Sequence, residues 1–139
     1  MLLHASCVAV GGKAVLLAGP PGIGKSDLAL RLIDGGARLV ADDQTALRIE
    51  DGVLCAAPPP AIAGMIEIRH VGLRRTDFAA SAPVALYVEL APMDAVLERL
   101  PDPESMLLLE RRVPMLRLPA FAASTPAKIR AALAYRETE

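Results

Sequence analysis

The chain has 139 residues, of which 53% are hydrophobic and 3% aromatic, and a formal net charge of −1. This length and hydrophobic content predict one folded domain over residues 1–139 and exclude a disordered tail. The near-neutral charge and the shortage of aromatic rings argue against nucleic acid or an anionic membrane as a partner. No segment resembles a signal peptide or reaches the ~18 apolar residues of a membrane helix, so we expect a cytoplasmic protein with reduced cysteines.

The first elements of the chain form a predicted β-hairpin. Ser6 to Val10 and Ala14 to Ala18 are apolar runs of strand length. Gly11-Gly12 between them suits a tight turn that needs positive φ. His4 lies near the start of the first strand, so an antiparallel partner carrying a histidine precedes the loop that follows the second strand.

That loop fits the phosphate-binding pattern G-x-x-x-x-G-K-[ST] at every fixed position. Its residues are Gly19, Pro20, Pro21, Gly22, Ile23, Gly24, Lys25 and Ser26. In such loops backbone N–H groups point at phosphate oxygens, the lysine reaches the β- and γ-phosphates and the hydroxyl ligates Mg²⁺. A helix is predicted to begin here and to stop at Gly35-Gly36, and its N-terminal end adds to the anion site. The loop therefore predicts binding of a nucleoside triphosphate with Mg²⁺.

Two carboxylates follow the next predicted strand, since Leu39 to Ala41 is apolar and Asp42 and Asp43 come directly after it. Strand ends present side chains to the ligand crevice of α/β sheets. Because adjacent strand residues point to opposite faces, we expect one aspartate to ligate or support the metal and the other to meet an acceptor hydroxyl. The alternative is a solvated turn.

Further along, Met65 to Arg69 alternates with period two, which predicts a strand. Glu67 and Arg69 share one face of it and are candidates for a second metal ligand and a phosphate contact. A surface ion pair is the alternative interpretation of these two residues.

The second half of the chain is less regular. The pattern predicts turns over residues 70–83, a buried strand over 84–90 and a short helix over 92–100 that begins with a proline. An edge strand is predicted over 113–119, and a final helix is predicted from Ser124 to about Arg136. The number of strands favours mixed sheets within an α/β fold.

Together these residues resemble the catalytic domain of HPr kinase/phosphorylase. His4 with its hairpin, the Gly-Ile-Gly-Lys-Ser end of the loop and the Val-Ala-Asp-Asp segment at 40–43 match that family in order. Ile66 to Leu73 is similar to the family's Glu-Ile-Arg-Gly-Leu-Gly signature. The resemblance implies an α/β P-loop fold with a core like that of phosphoenolpyruvate carboxykinase. It also implies ATP- and Mg²⁺-dependent phosphorylation of a serine on HPr, the phosphocarrier protein of the phosphotransferase system.

The resemblance also implies roles for individual residues. His4, Lys25 and Asp43 would belong to the active site, with Asp43 as the base that accepts the serine proton. Ser26 and Glu67 would hold Mg²⁺. Asp42 is a further metal candidate from its position after the strand, not from the resemblance. Arg99 is matched to the family's catalytic arginine.

The chain departs from the family pattern at several places. It resembles the short form that lacks the separate N-terminal domain. His70 stands where the signature usually has glycine. Residues 122–125 align with a Pro-Gly-Arg-Asn-like segment linked to dephosphorylation but contain no arginine, which predicts that phosphate does not dephosphorylate phospho-HPr. A homo-oligomer is expected by analogy with the family's hexamer, although the predicted C-terminal helix is short for it.

A second hypothesis is a nucleotide-sensing regulatory module that binds ATP and a signalling partner without catalysis. The presence of both aspartates and Glu67 argues against it, because binding alone needs no base. A kinase for small metabolites would need a lid, and the sequence has no arginine-rich lid segment.

Overall fold

The computed structural model describes residues 1–138 as a mixed α/β fold. Within this range the strands β1 to β11 span, in chain order, Leu2–Leu3, Ala5–Val10, Lys13–Ala18, Arg38–Ala41, Thr45–Glu50, Val53–Ala57, Met65–Ile68, Gly72–Arg75, Ala82–Ala91, Glu104–Leu108 and Arg111–Pro119. The helices α1 and α2 span Lys25–Asp34 and Thr125–Ala134, and a 3₁₀ turn covers Pro60–Ile62. The predicted α/β class with few helices is confirmed.

Nine of the strands described within residues 1–138 form one sheet. Its order is β1-β5-β6-β9-β3-β2-β4, and β11 also lies beside β9, with β10 on its outer side. The pairs β3–β9 and β9–β11 are parallel, whereas the hairpins β2–β3 and β5–β6 are antiparallel. Strands β7 and β8 form a separate antiparallel ribbon. The predicted mixed sheets and the predicted hairpin around Gly11-Gly12 are therefore present.

The core lies on both faces of the sheet, because side chains alternate along each strand. On one face Val8 and Leu17 pack with Leu28 and Leu32 of α1. On the other face Cys7 and neighbouring apolar residues form a second cluster, which contains Leu16, Val40, Leu47 and Tyr87. Helix α1 is thus held against the sheet, and the loop before it has a fixed position.

Three predictions about the second half are wrong. Residues 92–100 form one turn, with the amide of Ala95 bonded to the carbonyl of Pro92 at 3.1 Å, and no helix. Gly72–Arg75 is strand β8 rather than a turn. Strand β11 lies between β9 and β10, so it is an internal strand and β10 forms the edge.

Within residues 1–138, neither helix combines the length and the apolar character needed to cross a membrane. Cys7 and Cys55 are both buried and unpaired, as predicted for reduced thiols.

Candidate active site

The sheet topology brings the candidate residues together at one end of the strands β2, β3 and β4. Strand β2 lies between β3 and β4 and runs antiparallel to both, so its first residues lie beside the carboxyl ends of its neighbours. Ala5 is opposite Ala18, the last residue of β3, and Cys7 is opposite Ala41, the last residue of β4. The start of β2, the phosphate-binding loop and the two aspartates after β4 therefore meet in space.

The loop from Gly19 to Ser26 turns tightly into α1. The amide of Ile23 bonds to the carbonyl of Pro20 at 3.2 Å, and Gly24 has a φ of 114°. A Cβ at Gly24 would lie 2.8 Å from the ring of Phe121, so both backbone conformation and space require glycine there. Since α1 begins at Lys25, its first amides and the positive end of its dipole face the loop.

Lys25 lies across the loop and is only 7% exposed. Its ammonium donates to the carbonyl oxygens of Gly19 at 2.7 Å and of Pro20 at 3.4 Å. These bonds hold a positive charge beside the first residues of the loop. The arrangement suits a polyanionic ligand, because charge and backbone donors act at the same place.

Asp42 is a buried carboxylate on which three separate elements meet. Its Oδ1 accepts hydrogen bonds from the hydroxyls of Ser26 at 2.6 Å and Ser6 at 3.1 Å. Its Oδ2 accepts the amide of Glu67, in β7, at 2.9 Å. These donors compensate the loss of water around the charge and fix the position of Ser26 relative to β7.

Asp43 has a different environment. Its backbone is left-handed, with φ of 69°, and its amide donates to the Ser6 hydroxyl at 3.0 Å. Its Oδ1 lies 3.4 Å from Nε2 of His4, and the two side chains are 63% and 62% exposed. The carboxylates of the two aspartates thus have different partners, although both residues bond to the Ser6 hydroxyl. The left-handed backbone of Asp43, rather than strand alternation, accompanies this difference, and the division of roles between the two carboxylates stays a prediction. An ion pair this exposed contributes little to stability. The same exposure leaves the Asp43 carboxylate accessible to a large acceptor molecule.

A cleft of about 440 Å³ joins these groups. Its walls come from the phosphate-binding loop, the start of α1, the end of β7 and the segment after β11; the lining residues are Pro21, Gly22, Gly24, Lys25, Ser26, Asp27, Leu30, Asp43, Glu67, Ile68, Arg69, His70 and Phe121. Five of the eight predicted loop residues, with Asp43 and Glu67, therefore line one opening. Asp42 is buried and His4 contacts Asp43, but neither is among the lining residues, which also lack Gly19, Pro20 and Ile23.

The oxygen groups at this cleft fit Mg²⁺ held jointly with phosphate. The candidate ligands are the Ser26 hydroxyl and the carboxylates of Asp42 and Glu67, which are hard oxygen donors. In the described part of the chain no group of three or more His, Cys, Asp or Glu side chains is arranged to hold a metal alone. Mg²⁺ commonly takes one or two carboxylates and completes its shell with phosphates and water.

His70 occupies the turn between β7 and β8 at the rim of the cleft. Its φ is 71°, and the amide of Val71 closes the turn on the carbonyl of Ile68 at 2.9 Å. A left-handed residue at this position explains why glycine suits it. Histidine is among the non-glycine residues that tolerate this conformation, so the turn forms in spite of the departure.

Two residues have positions that the sequence pattern does not predict: Arg99 does not line the cleft, whereas Phe121 does. Arg99 is exposed in the segment after β9 and does not line the cleft, so its catalytic role stays a prediction. Phe121 lines the cleft from the segment after β11, which Arg31 fixes by donating to the carbonyls of Ala120 and Ala122. No local pattern around Phe121 could have predicted this position.

Ser6 is the second residue that the sequence did not single out. Its hydroxyl contacts Asp42 and the amide of Asp43. The only local signal is a hydroxyl in an otherwise apolar strand, Ala5–Val10.

Two curated proteins are similar in sequence to part of this chain. An HPr kinase/phosphorylase of Clostridium botulinum is 44% identical over 71 residues, or 51% of this chain and 23% of that protein. One from Geobacillus is 45% identical over 83 residues, or 58% of this chain and 27% of that protein. This chain thus matches about a quarter of the length of these curated relatives.

A solved structure has the same fold. The Hpr(Ser) kinase/phosphatase from Coxiella burnetii superposes with a TM-score of 0.84 and 26% identity, covering 96% of this chain and 88% of that chain. The model of the HPr Serine kinase C-terminal domain family matches residues 1–137. The chain therefore belongs to the HPr serine kinase C-terminal domain family.

Proposed function

We propose that this chain is an ATP-dependent kinase that phosphorylates a serine of HPr. The observation that carries the proposal is the position of Asp43, whose exposed carboxylate lines the same cleft as Lys25 and Ser26 of the phosphate-binding loop. Membership of the family and the names of its relatives support HPr as the acceptor.

In this proposal the nucleotide lies on the loop and the start of α1. The backbone amides and Lys25 bind the β- and γ-phosphates, as in other loops of this pattern. Ser26 and Glu67, with Asp42 beside them, would hold Mg²⁺, which when bound would neutralise charge on the phosphates. Phe121 offers the cleft an apolar ring face, and we assign it to the nucleoside base.

Asp43 acts on the acceptor. As the seryl oxygen of HPr forms a bond to the γ-phosphorus, the bond between that phosphorus and the β,γ-bridging oxygen breaks and ADP leaves. The seryl proton passes to the carboxylate of Asp43. His4, whose Nε2 lies 3.4 Å from Asp43, orients that carboxylate.

The test is incubation of the purified chain with ATP, Mg²⁺ and HPr, followed by intact-mass measurement of HPr. We expect the addition of one phosphoryl group, and none on an HPr variant whose acceptor serine is replaced by alanine. ATP binding without any transfer would contradict the kinase proposal and favour the regulatory module.

We further propose that the chain works in the kinase direction only. The segment after β11, Ala122 to Thr125, contains no arginine that could bind an incoming phosphate. Arg31 lies nearby, but its guanidinium is bonded to the carbonyls of Ala120 and Ala122. Phospho-HPr incubated with the chain and inorganic phosphate should keep its phosphoryl group over hours, and a rapid loss measured by intact mass would contradict the proposal.

A further inference from the structure

The hydroxyl of Ser6 lies between the two aspartates and bonds to both. It donates to Oδ1 of Asp42 at 3.1 Å and accepts the backbone amide of Asp43 at 3.0 Å. Ser6 is fully buried, so water does not substitute for these contacts. Its one hydrogen and one of its acceptor positions are therefore committed to the candidate site.

The surroundings of Ser6 give no packing reason for a hydroxyl. Ser6 lies on the internal strand β2, between β3 and β4, among the apolar residues of Ala5–Val10, and is paired with Leu17 of β3 in the ladder. Burying a hydroxyl in such a place is unfavourable unless its hydrogen bonds are made. The bonds that it makes all lead to Asp42 and Asp43, which connects the presence of serine to the site.

Asp43 needs an external constraint. Its φ of 69° is a left-handed conformation that residues with a Cβ adopt reluctantly. Such a conformation persists where the surroundings fix it, and the Ser6 hydroxyl is the acceptor for the Asp43 amide. This bond fixes the backbone from which the Asp43 carboxylate extends toward His4.

We propose that Ser6 is a positioning residue for phosphoryl transfer, and this rests on the proposed kinase function. Ser6 touches no reacting atom, since it lies beneath the cleft and is not one of its lining residues. It connects Asp42, on the metal side, to Asp43, on the acceptor side, so that the base stays at a fixed place relative to the metal ligands.

The contacts predict which kinetic constant depends on Ser6. Without its hydroxyl, Asp42 keeps the donors of Ser26 and Glu67, so the nucleotide side of the site stays formed. Asp43 loses the acceptor of its amide, and its carboxylate shifts. A displacement of about 1 Å can lower a rate by ~100-fold, so kcat falls while the KM for ATP changes little.

The test compares Ser6→Val with Ser6→Thr, two side chains of the same shape that differ in the hydroxyl. We expect kcat for HPr phosphorylation to be about 10- to 100-fold lower in Ser6→Val than in Ser6→Thr, with KM for ATP within about threefold in both. If Ser6 had only a structural role, both variants would have a lower melting temperature. Their kcat values would then not differ from each other.

Hydrogen exchange at the Asp43 amide gives a second readout that does not depend on catalysis. In the full chain, followed by NMR, that amide should exchange faster in Ser6→Val than in Ser6→Thr or the wild type. Unchanged exchange would overturn the proposal, and so would equal kcat values for Ser6→Val and Ser6→Thr.

If the extra methyl group prevents both variants from folding, Ser6→Ala replaces them. That variant should show the same loss of kcat and faster exchange at Asp43, and a wild-type kcat would overturn the proposal. A wild-type chain that transfers no phosphoryl group to HPr would overturn the proposed function itself. The exchange comparison would then still decide whether Ser6 holds Asp43.

Discussion

The Ser26 hydroxyl donates a hydrogen bond of 2.6 Å to Oδ1 of Asp42. This contact joins the first turn of α1 to the residue that follows β4. The other carboxylate oxygen of Asp42 accepts the Glu67 amide at 2.9 Å, so the residues proposed as Mg²⁺ ligands come from three elements that meet at Asp42. Binding of Mg²⁺ with nucleotide should therefore depend on Asp42 more than binding of nucleotide alone.

The variant Asp42→Asn should weaken binding of MgATP by about 10- to 100-fold, the usual effect of losing a group that orients a metal ligand. An amide has one oxygen, so its nitrogen would face either the Ser26 hydroxyl or the Glu67 amide, both of which are donors here. Calorimetric titration of Asp42→Asn with ATP should show this loss of affinity in the presence of Mg²⁺. In EDTA, which removes Mg²⁺, the loss of affinity should be much smaller. Asp51→Asn, in the exposed turn between β5 and β6, is the matched control and should bind like the wild type. Equal losses in Mg²⁺ and EDTA would contradict the metal-side role.

The variant Asp43→Asn should lower kcat for HPr phosphorylation by ~100-fold or more and leave the Kd for MgATP within about twofold. Asparagine has the size of aspartate and tolerates the left-handed backbone at this position, so the change removes the base with little disturbance. Single-turnover transfer measured by intact mass separates chemistry from binding. Formation of phospho-HPr at the wild-type rate would show that Asp43 is not the base.

The first part of the fold could be predicted because its signals are local. Gly11-Gly12 and Asp51-Gly52 have positive φ at both positions, as their hairpin turns require. The glycines of the phosphate-binding loop and the apolar spacing of α1 likewise depend on neighbours in sequence. The resemblance to a known family suggested an active-site role for His4, which no local pattern assigns. For Glu67 it agreed with the metal-ligand role that the strand pattern had already suggested.

The second half depends on packing that the sequence pattern does not reveal. Residues 92–100 have helical spacing, but Val96 is 100% and Leu100 85% exposed, so no surface covers the apolar face that a helix would present. An isolated helix of this length is unstable in water, which explains why only one turn forms. Strand β8 is exposed at every position, so it shows no burial pattern and forms through backbone pairing with β7.

The two site residues missed by sequence reasoning are distant in the chain from their partners. Ser6 acquires its role only when β2 and β4 pair, and Phe121 only when the segment after β11 packs beside α1. The residues next to Ser6 and Phe121 in the sequence form no motif that marks either of them as part of a site. Their positions follow from the sheet order rather than from any motif.

Replacement of Phe121 by alanine should weaken ATP binding by about tenfold, because stacking of a base on an aromatic ring contributes about 1–3 kcal/mol. The ring is 53% exposed and lines the cleft beside Gly24, so it is accessible to a base. Binding of tripolyphosphate, which has no base, should not change. Both affinities can be measured by calorimetric titration in Mg²⁺.

Phe78→Ala serves as the control for this variant. Phe78 is a partly exposed ring that does not line the cleft, so its loss should leave the affinity for ATP unchanged. If Phe121→Ala weakens the binding of tripolyphosphate as much as the binding of ATP, the ring stabilises the loop and does not contact the base. The assignment of Phe121 to the base is then wrong.

The Cys7 thiol should make stability depend on pH in the alkaline range. Cys7 is fully buried in β2, and burial raises the pKa of its thiol well above the ordinary range, although a backbone hydrogen bond with Val15 acts in the opposite direction. The folded chain therefore keeps this proton at pH values where the unfolded chain, with a thiol pKa of about 8.5, releases it. The stabilising contribution is complete below about pH 8.5 and is lost as the pH rises further.

Relative to Cys7→Ala, the free energy of unfolding of the wild type should thus fall by up to ~1.4 kcal/mol per pH unit above about pH 8.5. Urea unfolding of both chains at several pH values between about 7 and 10 measures this pH dependence of the free energy of unfolding. The cavity left by Cys7→Ala lowers stability equally at every pH, so it does not mimic the slope. Burial also raises the pKa of the Cys55 thiol, and both chains retain that residue, so its contribution cancels in the comparison. Parallel stability curves for the two chains would mean that the Cys7 thiol ionises in the folded protein as readily as in the unfolded one.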